Sequence, residues 1–338
     1  MQLSGMKISS HTVILALLMV RALVAAPTTP AGAHTSVVTS RTFTITRSAV
    51  PYDVEYWSNG NLDVPNAEIS NVVFMLHGNS RNADDYARYT ADAATSAGRI
   101  SSSLVVAPHF IDADDSPSSR ELYWTESSWK EGGVSESRGR TWAMTSFAVM
   151  DMMANAAHVT FPTAQITVAG HSAGGQFVQR YVLGAGQRVV DRYVPMNPGT
   201  YMYLDNQRWS GSTHRSLSAR EKKACSHWND YKYGLSNRSG EIASTSTTEA
   251  RARYAGASVT YLLGGADTLR DSSLDTGCEA DWQGRTRLAR GKNFFAALQQ
   301  TMESSNAVSS HSLEVVPGVG HEGVKMIQSA QARPLLFP

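Results

Sequence analysis

Six runs of apolar, largely β-branched residues recur along this chain with longer amphipathic stretches between them, and no other feature narrows the fold as far. They are "VVFMLHG" (72–78), "SSLVVAPHF" (102–110), "QITVAG" (165–170), "RYVPMNPGTY" (192–201), "SVTYLLGGAD" (258–267) and "HSLEVVPGVGH" (311–321). Each is continuous rather than alternating, the pattern of a strand buried on both faces. "TWAMTSFAVMDMMANAAH" (141–158), "GGQFVQRYVLGAG" (174–186) and "TRLARGKNFFAALQQTMESS" (286–305) read as helices between them. Ahead of the set, "RTFTITRS" and "VPYDVEYWS" alternate as an antiparallel hairpin does. Strand–helix alternation of this kind predicts an α/β fold, a mostly parallel sheet with helices on both faces. An apolar content of 42% is ample for its core.

The first 33 residues differ from the rest. Lys7 precedes the apolar stretch "TVILALLMV", and small residues follow, the pattern of a secretory signal peptide cut after Ala26 or Ala33. With Arg21 inside it, the stretch is too short to span a bilayer, so no membrane span is expected. Residues 34–338 are then expected to form the main domain, outside the cell. In that setting the two cysteines, Cys225 and Cys278, are expected to form a disulfide. They offer too few ligands at that spacing for a zinc site. A net charge of +1 and the lack of a basic run interleaved with aromatics argue against nucleic acid.

"GHSAGG" (170–175) sits where a buried strand meets a helix. A turn that sharp crowds the residues two before and two after its apex, so Gly170 and Gly174 flank Ser172. The apex residue takes strained dihedrals and lifts its hydroxyl above the sheet. The next residue, Ala173, opens the helix with its N–H free to face a developing oxyanion.

On these residues the chain resembles the α/β-hydrolase superfamily across nearly all of 41–338, and looks most like secreted esterases and depolymerase-related hydrolases that share the GHSAGG elbow. The resemblance implies a nucleophile, an acid and a histidine in that chain order. The matching positions are Ser172, Asp267 at the end of "VTYLLGGAD", and His321 at the end of "LEVVPGVGH". Asp271 and Asp275 compete for the acid but lie further into the loop. His77-Gly78 matches the family's HG signature, so Asn79, or else Ser80, supplies the second oxyanion N–H beside Ala173. His77 is expected to pack, His171 to prop the elbow, and His109 to cap its strand.

Residues 204–257 interrupt the alternation where this fold commonly carries a cap. Over 205–257 there are nine Lys and Arg against five Asp and Glu, with no amphipathic apolar face of the kind a lipase lid presents. Trp228 and Tyr231 in this segment, with Trp124 and Trp129, are candidates for a substrate pocket; packing within the cap or the rim is the competing expectation. The expected activity is hydrolysis of short-chain or aromatic carboxylic esters, small or polymeric, by a monomer needing no cofactor or metal. A serine peptidase or amidase with the same residues is the first alternative, and a binding protein that kept the fold is the second.

Overall fold

A computed structural model describes residues 36–184, 189–210, 213–304 and 310–338. The N-terminal stretch read as a signal peptide lies outside them. The strands are β1 (Thr39–Arg47), β2 (Val50–Ser58), β3 (Asn71–Leu76), β4 (Ser103–Pro108), β5 (Gln165–His171), β6 (Arg192–Met196), β7 (Gln207–Ser210), β8 (Thr213–Ser216), β9 (Ser258–Gly264) and β10 (Ser310–Val316). The helices are α1 (Ala83–Ser96), α2 (Ser146–Thr160), α3 (Ala173–Gly184), α4 (Ala219–Ala224), α5 (Thr247–Ala255), α6 (Cys278–Asp281), α7 (Arg287–Ser304), α8 (Gly323–Ile327) and α9 (Arg333–Leu336).

Eight strands form one sheet in the order β1-β2-β4-β3-β5-β6-β9-β10. β1 and β2 run antiparallel to their neighbours, and every pairing from β4 to β10 is parallel. β10 departs from the expected double burial, because it is an edge strand with one neighbour and only Val316 in it is buried. All six runs read as doubly buried strands nonetheless lie in the parallel part. The reason is visible in β3, where successive side chains point to opposite faces. Val72, Phe74 and Leu76 join the core that holds Phe147 of α2 and Phe177 of α3. Val73 and Met75 join the opposite core, with Tyr86 and Ala94 of α1 and Met326 of α8.

Two helices differ from their expected reach or were not anticipated. The long helix before β5 starts at Ser146 rather than Thr141, because the Thr145 side chain accepts the Ala148 N–H as an N-cap. Helix α1, not anticipated, carries its buried face on Tyr86 and on the alanines Ala83, Ala87, Ala91 and Ala94, with no long apolar run.

The polar segment between β6 and β9 contains the β7–β8 antiparallel ribbon, α4 and α5. Cys225 at the end of α4 is disulfide-bonded to Cys278 at the start of α6, with Cα atoms 5.9 Å apart. Beside the bond, Leu217 and Trp228 form a small separate core against Trp282. Among the described residues no helix is long and apolar enough to cross a membrane.

The bridge closes a sequence separation of 53 residues. Loop-closure entropy then gives it a ceiling of about 4 kcal/mol of stability. A Cys225→Ser/Cys278→Ser double variant should unfold at a lower urea concentration than the oxidised protein, with the difference bounded by that figure. Equal midpoints for the two would show that the bridge contributes nothing.

Candidate active site

β5 ends at His171, α3 begins at Ala173, and Ser172 between them has φ of 59°. That left-handed backbone is strained for a residue with a Cβ. The turn is held by the Ser172 N–H, which donates to Met196 O at 2.9 Å, and the Gln176 N–H, which donates to Ser172 O at 3.0 Å. A Cβ on Gly174 would stand 2.3 Å from Leu76 O and 2.7 Å from His77 O. One on Gly170 would stand 2.6 Å from the carbonyl carbon and oxygen of Gly174. The obstacles are backbone atoms, which cannot rotate aside. Glycine at both positions lets the first turn of α3 rest directly on the end of β3.

The end of β5 meets two loops at the same edge of the sheet. His321 Nε2 lies 2.9 Å from Ser172 Oγ, and its Nδ1 lies 2.7 Å from Asp267 Oδ2. An ionised carboxylate can only accept, so the Nδ1 proton donates to Asp267 and Nε2 accepts the serine hydroxyl. Asp267 is 1% exposed. Its other oxygen faces Nη1 of the buried Arg287 at 3.6 Å. Arg287 also donates through Nη2 to Ser273 Oγ at 2.6 Å and to Asp271 Oδ1 at 3.3 Å. Asp271 is pushed down to about 2, chiefly by the Ser273 hydroxyl and then by Arg287. Asp275 accepts the Tyr233 hydroxyl at 2.7 Å. Of the three aspartates near this loop, Asp267 is the one brought to the imidazole.

Asn197, which the sequence reading passed over, ties these loops together. It follows β6 with φ of 44° and is 2% exposed. Its Oδ1 accepts the Gly264 N–H at 2.6 Å, and its Nδ2 donates to Gly320 O at 3.0 Å. One side chain therefore links the strand leading to Asp267 with the residue before His321. "MNPG" after an apolar run was the available signal, since Asn is among the side chains that tolerate a left-handed backbone.

The segment after β3 is pinned from several sides. His77 is fully buried and is pushed down to about 3 by burial, so its ring is neutral. Its Nε2 accepts the Phe110 N–H at 3.1 Å, and its Nδ1 donates to Gly78 O at 2.8 Å. Asn79 Oδ1 accepts from Lys130 Nζ at 2.9 Å. Arg81 reaches Asp112 at 2.9 Å and Asp115 at 2.6 Å. His171 is buried, hydrogen-bonds the Tyr86 hydroxyl through Nδ1 at 3.0 Å, and is pushed well down by burial. Its ring centroid is 4.7 Å from that of His321. His109, just after β4, hydrogen-bonds Glu55 at 2.7 Å and stands edge-on to the His77 ring at 5.8 Å between centroids.

Ser172 and His321 open onto a cleft of about 290 Å³. Asn79, Ser80, Asn82 and Ser273 give it polar walls, with Tyr86, Tyr89 and Val324 as the apolar part. None of the four expected pocket aromatics lines this cleft. Trp124 and Trp129 are fully buried in the large core, where Trp129 stacks on Phe110 at 9° and 5.8 Å between centroids. Trp228 packs beside the disulfide and under the Arg208 guanidinium. Tyr231 donates its hydroxyl to Glu131 O. Packing, the competing expectation for these residues, describes where all four lie: large rings are buried in the core and under the insertion, while small polar residues face the nucleophile.

A parallel sheet led by an antiparallel hairpin, with a serine elbow after its central strand, defines a class: the chain has the α/β-hydrolase fold. It is similar to poly(aspartic acid) hydrolase-1 from Sphingomonas sp. KT-1, at 26% identity over 88% of this chain and 98% of that one, with a TM-score of 0.64. It is similar in fold to a poly(3-hydroxybutyrate) depolymerase from Bordetella parapertussis, at 22% identity over 86% and 88%, with a TM-score of 0.60. No protein-family model matches the chain, and a search of curated proteins finds no match.

Gly174→Ala should lower stability and activity together, because the added methyl collides with two backbone oxygens. Gly256→Ala, whose Cβ would meet nothing closer than 3.5 Å, is the control and should leave both intact. Thermal melts and initial rates of the two variants check this; a wild-type melt and rate for Gly174→Ala would show that close contact is not what requires the glycine.

Proposed function

We propose that the protein is a secreted serine hydrolase that cleaves carboxylic esters with short-chain or aromatic groups. The observation that carries this reading is the continuous hydrogen-bonded path from Ser172 Oγ through His321 to the buried carboxylate of Asp267. Ser172 Oγ attacks the ester carbonyl while His321 Nε2 takes its proton. Asp267 holds the imidazole in the required tautomer and stabilises the imidazolium. The N–H groups of Ala173 and Asn79 receive the oxyanion, at the helix N-terminus and at the pinned segment after β3. The imidazolium then protonates the leaving alcohol, and a water activated by the same histidine hydrolyses the acyl-enzyme.

The cleft supports a compact substrate. Its two tyrosines suit a short acyl chain or a ring, and its polar walls offer no face for a lipid surface. The disulfide accords with an oxidising compartment. A second reading is amide cleavage. Poly(aspartic acid) is a polyamide, and the hydrolase named for it resembles this chain over most of both lengths. The same residues serve either bond, with an amine in place of the alcohol as leaving group.

Ser172→Ala should fold normally and lose at least about 10³-fold in kcat/KM. A fluorophosphonate should label the wild type once, at Ser172. Asp267→Asn should cost roughly 10⁴-fold through the wrong tautomer, whereas Asp271→Asn should change the rate little. Labelling at another residue, or a crippled Asp271→Asn beside a healthy Asp267→Asn, would refute the assignment. Substrate class is read from kcat/KM on p-nitrophenyl acetate, butyrate, octanoate and palmitate, an aromatic ester, aminoacyl p-nitroanilides and poly(aspartic acid). The expected maximum is at the short or aromatic esters. A maximum at palmitate would make the protein a lipase, and faster amide than ester cleavage would move it to the second reading.

A further inference from the structure

We propose that Lys130 is a positioning residue for the reaction, its buried ammonium fixing Asn79 through the side-chain oxygen and placing a positive charge on the side of the cleft where the oxyanion forms. The proposal rests on the reading of Asn79 as an oxyanion donor and concerns what holds and polarises that donor.

Lys130 follows Trp129 in a short turn of helix over Ser128–Glu131. The Trp129 ring lies between Phe110 and His77, 4.6 Å from the latter. The Trp129 carbonyl accepts the Ser146 hydroxyl at 2.6 Å, and the Lys130 carbonyl accepts from Arg180 at 3.3 Å. The turn is therefore fixed, and only 6% of Lys130 is exposed. Its Nζ donates to Asn79 Oδ1 at 2.9 Å, and among the described residues it makes no ion pair. Its neighbour Glu131 is engaged by Lys232 at 3.3 Å instead.

A buried ammonium that makes no close ion pair is expensive to keep. The charged groups facing it are Glu126 and Glu131 on its own loop, Arg180 from α3 and Lys232 from the segment between β6 and β9. The two cations oppose its charge. Burial, and then Lys232, push the Lys130 ammonium down to about 8. The two carboxylates are offset by the two cations, and the reaction adds negative charge transiently on the substrate oxygen. A fixed cation that is undercompensated in the free enzyme and compensated in the transition state stabilises the second more than the first. Asn79, which lines the cleft and accepts from Lys130 through Oδ1, is the connection between them.

The sign of the pH effect follows. The protonated form is the active one, so kcat/KM should fall on the alkaline side as the free enzyme loses the Lys130 proton, with a midpoint near 8. Lys130→Arg keeps a charge that does not titrate in this range. It should retain activity within about tenfold and lose the alkaline limb. Lys130→Gln keeps an N–H donor for Asn79 without the charge; it should be lower in kcat by roughly 10- to 100-fold, with KM little changed and no limb near 8. Thermal melts establish that each variant is folded, and if Lys130→Gln is not, the profile of Lys130→Arg decides. An alkaline limb unchanged in Lys130→Arg, or a Lys130→Gln enzyme with wild-type kcat, would overturn the proposal. Ser172→Ala measured alongside separates the two levels: if it is inactive while the Lys130 variants behave as wild type, only this inference fails, and if it is active the serine reading itself fails.

Discussion

The backbone of α3 touches the backbone of β3, and most of the site follows from that contact. Gly174 lies where a single methyl would penetrate the carbonyl oxygens of Leu76 and His77. The approach puts Ser172, at the end of one central strand, beside Gly78 and Asn79, at the end of its neighbour. Residues from different elements then line one small cleft without any of them reaching across it. The cost is a left-handed serine, and it is met by hydrogen bonds to the next strand rather than by local relaxation.

Around this contact, charges are buried in a graded way. His77 and His171 are neutral because burial leaves no place for a proton. Asp267 lies between His321 and Arg287. Arg287 is divided between Asp267 and the exposed Asp271, so it supports the acid without forming a close bidentate pair with it. A tighter pair would compete with the imidazole for the same carboxylate. Asn197 adds a neutral clamp that holds the two loops at fixed separation.

The parallel sheet was legible because doubly buried strands leave a continuous apolar run, and all six runs are strands of it. Ser172, Asp267 and His321 were legible because chain order and strand ends restrict the choice, and the structure brings these three together. Helix α1 was not legible, since an alanine face carries little hydropathy contrast. The choice between pocket and packing for the aromatics was left open for a related reason. Sequence shows that Trp124 and Trp129 are large and near the rim in chain order, but burial depends on which turn faces inward. Lys130 and Arg287 were passed over because a charged residue is ordinarily solvated. Only the surrounding packing shows that these two are buried.

The Cys225–Cys278 bond has a consequence for how the molecule opens. Local unfolding of the segment between β6 and β9 is coupled to its surroundings, since Cys225 within it is covalently joined to α6 and shares a small core with Trp282. α6 lies between Asp267 and Arg287 in the chain, and its Asp281 is paired with both Arg270 and Arg290. The insertion and the acid-bearing loop therefore form one cooperative unit, and their slowly exchanging amides should be released at a common free energy rather than in two stages. Breathing of the insertion and loss of the acid's support are, in this molecule, the same event.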